Sequence, residues 1–513
     1  MGMSETKEDL KKTKKELVVV EKRKDSEHKL AKIKKTKFEI EPFEKIKTPF
    51  YKISNPKEIF GMAIPIFIQL LFTILITQIN LIAINNYMGG AYAEGTSKSV
   101  LAYNTLQFVP SLIATGTIIV SGNLIGQGRK EEVSRVIVTG LLVNLSIMLP
   151  IFVIITILSD TIVSWVGASS SQPITDINGQ QILEPTELTY ASHYYRYTNI
   201  NLIMMSIYQV FVAGLQAFKK SKVVTIGTMI ANVIDLSLIS IILYGTNIPP
   251  VYSSLVLPIT GLFQIFFMLF MCLKYIDFKV NKKRQLSWNY AKETLKTGLP
   301  ITIEMGVWNL CNFGTSVAIG QLHIGTGNEW IILHRNANSI GQYSSAFIQA
   351  IGTVTAVFVS RKIGEKDKQG AYEIALECWK AAIYVTLISN IIMIAISYPL
   401  LLLLNSKDTA IPWGVSVLTI FSVKILFDTV NMTLLRALWS VGDLWYPILV
   451  SFVTMGIGMV ALPFILVKAL NIVEGPGLLC VYSAVVVDPF LRSIIYVNRW
   501  LKGKWQKYIH IVK

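Results

Sequence analysis

Residues 59–84 read IFGMAIPIFIQLLFTILITQINLIAI, an apolar run without a single charge. It exceeds the roughly 20 residues that carry a helix across a bilayer. A second run, residues 445–467 (WYPILVSFVTMGIGMVALPFILV), has the same character. Backbone amides facing hydrocarbon must find partners within their own segment, and the alternating pattern of a barrel strand is absent. Each run therefore reads as a transmembrane helix. Working outward, about twelve such segments start near residues 57, 99, 132, 189, 221, 252, 293, 328, 371, 411, 444 and 475. Pro65, Pro110, Pro150, Pro258, Pro300 and Pro489 fall inside them as kink sites, tolerated where neighbours re-satisfy the freed carbonyls.

Composition agrees. With 52% hydrophobic and 16% charged residues, and a mean hydropathy of +0.50, the chain has too little polar surface to cover a soluble globule of 513 residues. The net charge of +16 does not mark a nucleic-acid binder, because the basic residues alternate by loop. They gather in the N-terminal tail, at Arg129 and Lys130, at 219–222, 279–284 and 361–368, and from Arg499 to the end; the loop at 167–189 has none. The positive-inside rule then places both termini and the central loop in the cytoplasm of a cell-membrane protein. The first 50 residues are rich in Lys and Glu and lack the apolar core of a signal peptide, so they read as a charged cytoplasmic extension. Met1, Gly2 and Thr6 fit a myristoylation pattern, redundant on an embedded chain, and 17–20 could form a surface helix. The four cysteines have neither paired spacing nor a partnering His cluster, which argues against disulfides and zinc.

Comparing the chain with itself reveals a duplication. Residues 63–69 (AIPIFIQ) open the first segment and 298–304 (GLPITIE) the seventh. Residues 125–133 (IGQGRKEEV) close the second, and 363–371 (IGEKDKQGA) the eighth. Residues 214–217 (GLQA) end the fourth, and 437–440 (ALWS) the tenth. Three matches in one order imply two six-helix halves. An even number of helices makes the repeats parallel, with a cleft between them that rocking opens to either side. The expected organisation is an extension at 1–52, an N-lobe at 53–278, a cytoplasmic loop at 279–292, a C-lobe at 293–500 and a basic tail at 501–513. The fold class is all-α membrane protein, two pseudo-symmetric lobes around a central cleft.

From residue 57 to 503 the chain resembles the multidrug and toxic compound extrusion (MATE) transporters. The resemblance rests on the helix starts Ile64-Pro65 and Leu299-Pro300, the loop GQGR at 126–129, NVID at 232–235, and FDTVN at 427–431 followed by ALWSVGD at 437–443. Departures accompany it. Asn80 stands where many prokaryotic members have an Asp. Asp235 and Ile239 stand where an Asn and an Asp four residues on are common. Gln216 and Trp439 replace the Arg of the Leu-Arg-Gly element. The ion-coupling constellation is thus rearranged.

An ionisable group at membrane depth costs at least about 2.5–3.5 kcal/mol on insertion scales, so it faces a cavity or a partner. The survivors of that filter are Asp235, Glu304, Lys424, Asp428, Arg436, Asp488 and Arg492. Asp235, one helical turn from Asn232 and placed near Asn80 by the resemblance, is the first candidate for cation coupling. Its oxygens suit Na⁺, and a buried carboxylate suits H⁺. The alternative is a hydrogen-bond cap between packed helices. Asp428 matches the family's tenth-segment Asp, which implies a part in cation coupling and in the substrate cavity; Lys424, four residues earlier on the same face, offers a neutralising ion pair instead. Glu304, within the first turns of the seventh helix, reads either as a cavity residue or as a capping group favouring the helix dipole. Arg436 is a further cavity candidate, Asp488 and Arg492 a local pair near the cytoplasmic end, and His334 and Arg335 interfacial anchors. Met204, Met205, Met268 and Met271 could line a cavity, but core packing explains each more simply.

The leading expectation is a secondary antiporter that exports amphipathic, cationic organic compounds against H⁺ or Na⁺. Its partners would be a small organic substrate and membrane lipid, without nucleic acid, and it would act as a monomer. No cofactor is expected beyond the coupling ion. A flippase for a lipid-linked precursor is the second reading, though it calls for a strongly basic cavity. A receptor or an enzyme is the third. No HExxH, CxxC, nucleophile elbow or phosphate loop occurs, and no Walker A for a primary pump.

Overall fold

Pro56 opens the first helix, where its missing N–H and preset φ cost nothing. The structure, a computed structural model, describes residues 42–44, 49, 52–171, 173–175, 181–246, 248–278, 286–322, 329–403 and 410–512. The acylation pattern and the surface helix near residue 17 lie outside them. The long helices are α1 (Pro56–Asn104), α2 (Ser111–Gly126), α3 (Val133–Ile157), α4 (Glu187–Ala217), α5 (Ser221–Ser240) and α6 (Val256–Tyr275) in the first half. The second half holds α7 (Trp288–Gly320), α8 (Glu329–Gly364), α9 (Lys368–Ala395), α10 (Ile411–Val441), α11 (Trp445–Met455, prolonged by further helical turns to Ala469) and α12 (Glu474–Leu501). Among the described residues, ten stretches are long and apolar enough to cross a membrane.

Helical backbone runs unbroken through the expected boundary between the first two segments. The packing partners nevertheless change along it. Asn80 meets Asp235 on α5, Tyr92 stacks edge-on against Tyr190 at the start of α4, and Tyr103 accepts a bond from Asn201 eleven residues further down α4. The α1 run thus covers the first two expected segments, its first part packed on α5 and its last part on α4. The second is interrupted at 105–110, before Pro110, and resumes as α2. A short antiparallel hairpin, β1 (Pro173–Thr175) and β2 (Gln181–Thr186), precedes α4. α7 starts at Trp288, five residues before the expected segment start and inside the expected 279–292 loop.

Outward faces of α3, α6, α9 and α11 expose Leu149, Ile154, Phe266, Phe270, Ile388, Ile391, Leu449 and Phe452, as lipid contact requires. Inside each lobe, an asparagine on the third helix ties its neighbours. Asn144 Nδ2 donates to Pro110 O (3.0 Å) and Ser206 O (2.8 Å). Asn390 Nδ2 donates to Ser422 O (2.8 Å) and its Oδ1 accepts from Ser344 (3.1 Å).

The halves meet through the repeated glycines. A Cβ on Gly126 would lie 2.1 Å from Arg361 O, and one on Gly364 would lie 2.1 Å from Asn123 O. These contacts are reciprocal under the repeat, so a pseudo-twofold axis runs between α2 and α8. Beside it, a Cβ on Gly298 would lie 2.0 Å from Leu112 O, while its repeat equivalent Ala63 is buried with Ala350. All this close backbone packing lies toward the end of the bundle where the basic loops gather. There the C-terminal residues cross from one half to the other. His510 N donates to Val441 O (3.0 Å), Val512 N to Asn123 Oδ1 (3.1 Å), and Gln127 Nε2 to Val512 O (2.8 Å).

Candidate functional site

In the first half Asp235 is buried on α5, with Asn80 Nδ2 donating to its Oδ2. Asp235 Oδ1, Asn80 Oδ1 and Asn232 Nδ2 are buried without a hydrogen-bond partner. The structure thus joins Asn80 to Asp235, whereas Asn232 bonds to neither. Two unpartnered oxygens on adjoining helices, one of them charged, fit a proton or one side of a hard-cation shell. Among the described residues no group of three or more His, Cys, Asp or Glu forms a metal site.

The second half concentrates charge differently. Lys424 Nζ donates to Asp428 Oδ2 at 2.7 Å and Asn431 Nδ2 to Asp428 Oδ1 at 3.2 Å, so the ion-pair alternative for Asp428 is the geometry found. Arg492 Nη2 donates to Asp488 Oδ2 at 2.6 Å. That pair is not near the end of α12 as the sequence placed it. It lies mid-helix, buried, with Arg492 Nη1 3.8 Å from Glu304 Oε1. Glu304 is not within the first turns of its helix either. Because α7 begins at Trp288, Glu304 sits at its middle, where the dipole has faded, and accepts from Ser451 at 2.5 Å. Arg436 is half-buried over Trp439, 5.3 Å from the ring centroid.

His334 also differs from expectation. It is buried in α8 rather than anchoring at the interface, with Nδ1 2.7 Å from Tyr482 Oη and Nε2 3.1 Å from Asn338 Nδ2. Arg335 beside it is exposed. The methionines pack: Met268 is in the core with Met204 and Met271 against it, and Met205 accepts from Tyr103.

Sequence reasoning missed the residues that make α8 a wall. This helix is enclosed by α1, α2, α9 and α10, and between 336 and 364 its exposed positions are Gln342 and Gln349, two turns apart on one face. Ser345 and Thr353 extend the stripe. Lipid-facing helices here expose Leu, Ile and Phe, so an exposed amide stripe on an enclosed helix faces water between the halves. Gln78 of α1 closes over the stripe's upper part, donating to Ser339 Oγ (2.8 Å) and accepting from Tyr343 Oη (2.5 Å). The legible signal was the seven-residue spacing of Gln342 and Gln349.

The MatE family model matches twice, over residues 65–241 and again over 300–464, more than half of the chain and once in each half. The chain belongs to this family of membrane transporters. As a MATE protein it is a transporter and not an enzyme. It is 22% identical to the uncharacterized transporter YisQ of Bacillus subtilis over 87% of this chain and 94% of that one. It is 25% identical to the probable multidrug resistance protein NorM of Thermotoga maritima, over 43% of this chain and 46% of that one. A solved MATE structure in the straight conformation superposes with a TM-score of 0.75 at 15% identity, covering 89% of this chain and 98% of the other. The twelve-helix, two-lobe MATE fold is therefore the fold of this chain.

Proposed function

We propose that this MATE protein is a cation-coupled antiporter of the cell membrane, exporting amphipathic, cationic organic compounds by alternating access with both termini in the cytoplasm. The observation that carries the reading is the placement of Asp235. It is buried at membrane depth in the N-lobe and bonded to one amide, with its second oxygen unpartnered. A carboxylate so placed is stable only when neutralised, and H⁺ or Na⁺ does that reversibly. Asn80 and Asn232 complete the coupling site, Na⁺ contacting Asp235 and Asn80. Asp428, Glu304 and Arg436 face the substrate from the C-lobe, with Lys424 setting the charge of Asp428. Each ligand shifts the two-state equilibrium by its differential affinity. The name of the Thermotoga relative supports a drug-like cargo.

The test is efflux of a fluorescent organic cation from proteoliposomes under an imposed pH or Na⁺ gradient, wild type against Asp235→Asn. Efflux should follow one gradient and lose that dependence in the variant. Wild-type efflux indifferent to both gradients would sink the coupled reading.

A further inference from the structure

The segment that leads into α1 crosses to the other half. Before Pro56 starts the helix, the chain lies along α9 of the C-lobe. The Phe43 ring stacks on Tyr372, with centroids 4.2 Å apart and 5° between the planes, and on Trp505 of the tail at 5.4 Å; Trp505 continues the stack onto Trp500 at 4.7 Å. Gln369 grips the backbone of the next residue, its Oε1 accepting from Glu44 N at 3.3 Å and its Nε2 donating to Glu44 O at 3.4 Å. Further along α9, Glu377 and Lys380 form a buried ion pair of 3.0 Å. An ammonium has three N–H groups to place. Lys380 Nζ also donates to Pro49 O (3.5 Å) and Lys52 O (3.4 Å), and Glu377 accepts from Ser54 N.

The second half repeats the arrangement. In the register of the 63–69 and 298–304 repeats, Phe278 is the counterpart of Phe43, and it packs on the N-lobe core as Phe43 packs on that of the C-lobe. Ser287, directly before α7, donates its N–H to Thr139 Oγ1 of α3 at 3.2 Å, and Thr139 is the counterpart of Glu377 in the register of 125–133 and 363–371. Each six-helix unit thus begins with a strap that docks on the other unit, on α9 or on α3. The two straps are held differently. The one at 278–287 joins the lobes and is tied by the chain at both ends, whereas the one at 43–55 meets the C-lobe through side chains and backbone bonds alone. The ion pair belongs to that second case: at the counterpart of Lys380 the N-lobe has the exposed Leu142.

We propose that residues 43–55 are a clasp that holds the lobes together at the basic end, and that their withdrawal from α9 is a step in opening the cleft there. The inference rests on alternating access in the transport reading. Rocking that parts α1 from α9 at this end must carry the strap off its slot. The slot suits reversible release, since each ring or backbone contact is weak by itself and Glu377 and Lys380 keep each other when the strap leaves.

Spin labels at positions 130 and 366 in the full-length, cysteine-free protein read the clasp without any substrate. Phe43→Ala should raise the ratio of long to short distances by about fivefold, the scale of one lost ring stack, while Phe43→Tyr, which refills the slot, should keep the wild-type ratio. Glu377→Leu/Lys380→Met removes both charges rather than one, which spares the fold, and should raise the ratio likewise. Thermal unfolding checks each variant, and where the double variant does not fold the Phe43 series decides. Cysteines at 44 and 369 joined by a short reducible thiol cross-linker should arrest efflux of the fluorescent organic cation from proteoliposomes, and reductant should restore it. Distances unchanged by Phe43→Ala, an equal rise with Phe43→Tyr, or efflux indifferent to the cross-link overturns the clasp. Absence of efflux in the unlinked protein counts instead against the cation cargo, and the distances then decide the clasp alone.

Discussion

Removing the guanidinium of Arg492 would leave Asp488 buried without its 2.6 Å partner and Glu304 without its nearest cation. Losing one member of a buried pair costs about 3–5 kcal/mol, whereas replacing both members by apolar groups is far milder. Arg492→Met should therefore lower the melting temperature in detergent more than the double variant Asp488→Leu/Arg492→Met does. The reverse order would mean that the two side chains act independently. At Asp235 the contrast is opposite. Asp235→Asn keeps shape and removes a buried carboxylate bonded to one amide, so stability should hold or rise while the gradient dependence of efflux disappears. A variant that unfolds would assign Asp235 a structural cap instead.

Between elements, the approach of α2 to α8 depends on side chains that are not there. Gly126→Leu would drive a side chain into the Arg361 carbonyl, 2.1 Å from the first added atom, and overpacking of that kind costs about 1–3 kcal/mol. The lobes should part at the basic end. Spin labels at positions 130 and 366 on a cysteine-free background would then report a longer distance than in the wild type; an unchanged distance would show that this contact does not hold the closed state. At the same end Asp367 caps α9, accepting from Gly370 N at 2.7 Å and from Lys362 at 2.9 Å. Burial works against its charge, yet the Gly370 N–H and the Lys362 ammonium outweigh burial and hold the carboxyl below the ordinary carboxylate value. Its contribution is therefore complete at neutral pH and fades only as pH falls through that depressed value. Asp367→Ala should cost about 1 kcal/mol, the usual worth of a cap, read as a small drop in melting temperature.

For the whole molecule, the tail is the link that neither lobe contains. It is rooted in the C-lobe by stacking of Trp505 on Trp500 and by His510 N on Val441 O, and it ends on Asn123 and Gln127 of the N-lobe. It packs against the turn out of α10, where Gly442 has a φ of 99° in the left-handed region and a Cβ would lie 2.7 Å from Tyr508 O. Truncation after residue 503 should broaden the 130–366 distance distribution toward longer values without unfolding either lobe. A distribution identical to the full chain's would show the tail to be a passenger.

The sequence alone decided the membrane, the number of spans, the duplication and the family, because each follows from the period and order of apolar residues, which survive at low identity. It also named Asp235, Asn80, Glu304, Asp428 and Arg436, since a charge or an amide in a long apolar run stands out one residue at a time. What it could not decide is who meets whom. The place of Glu304 at mid-helix depended on where α7 begins, and Asp488–Arg492 became part of a larger network only once α7 and α12 were packed together. His334 became a buried group because α12 brought Tyr482 over it. The water-facing side of α8 is invisible in a window of its residues, since an exposed glutamine and a buried one have the same letter. Only the enclosing helices distinguish lipid from cleft, because burial and pairing belong to surfaces from distant segments, and their juxtaposition is set by packing rather than by local pattern.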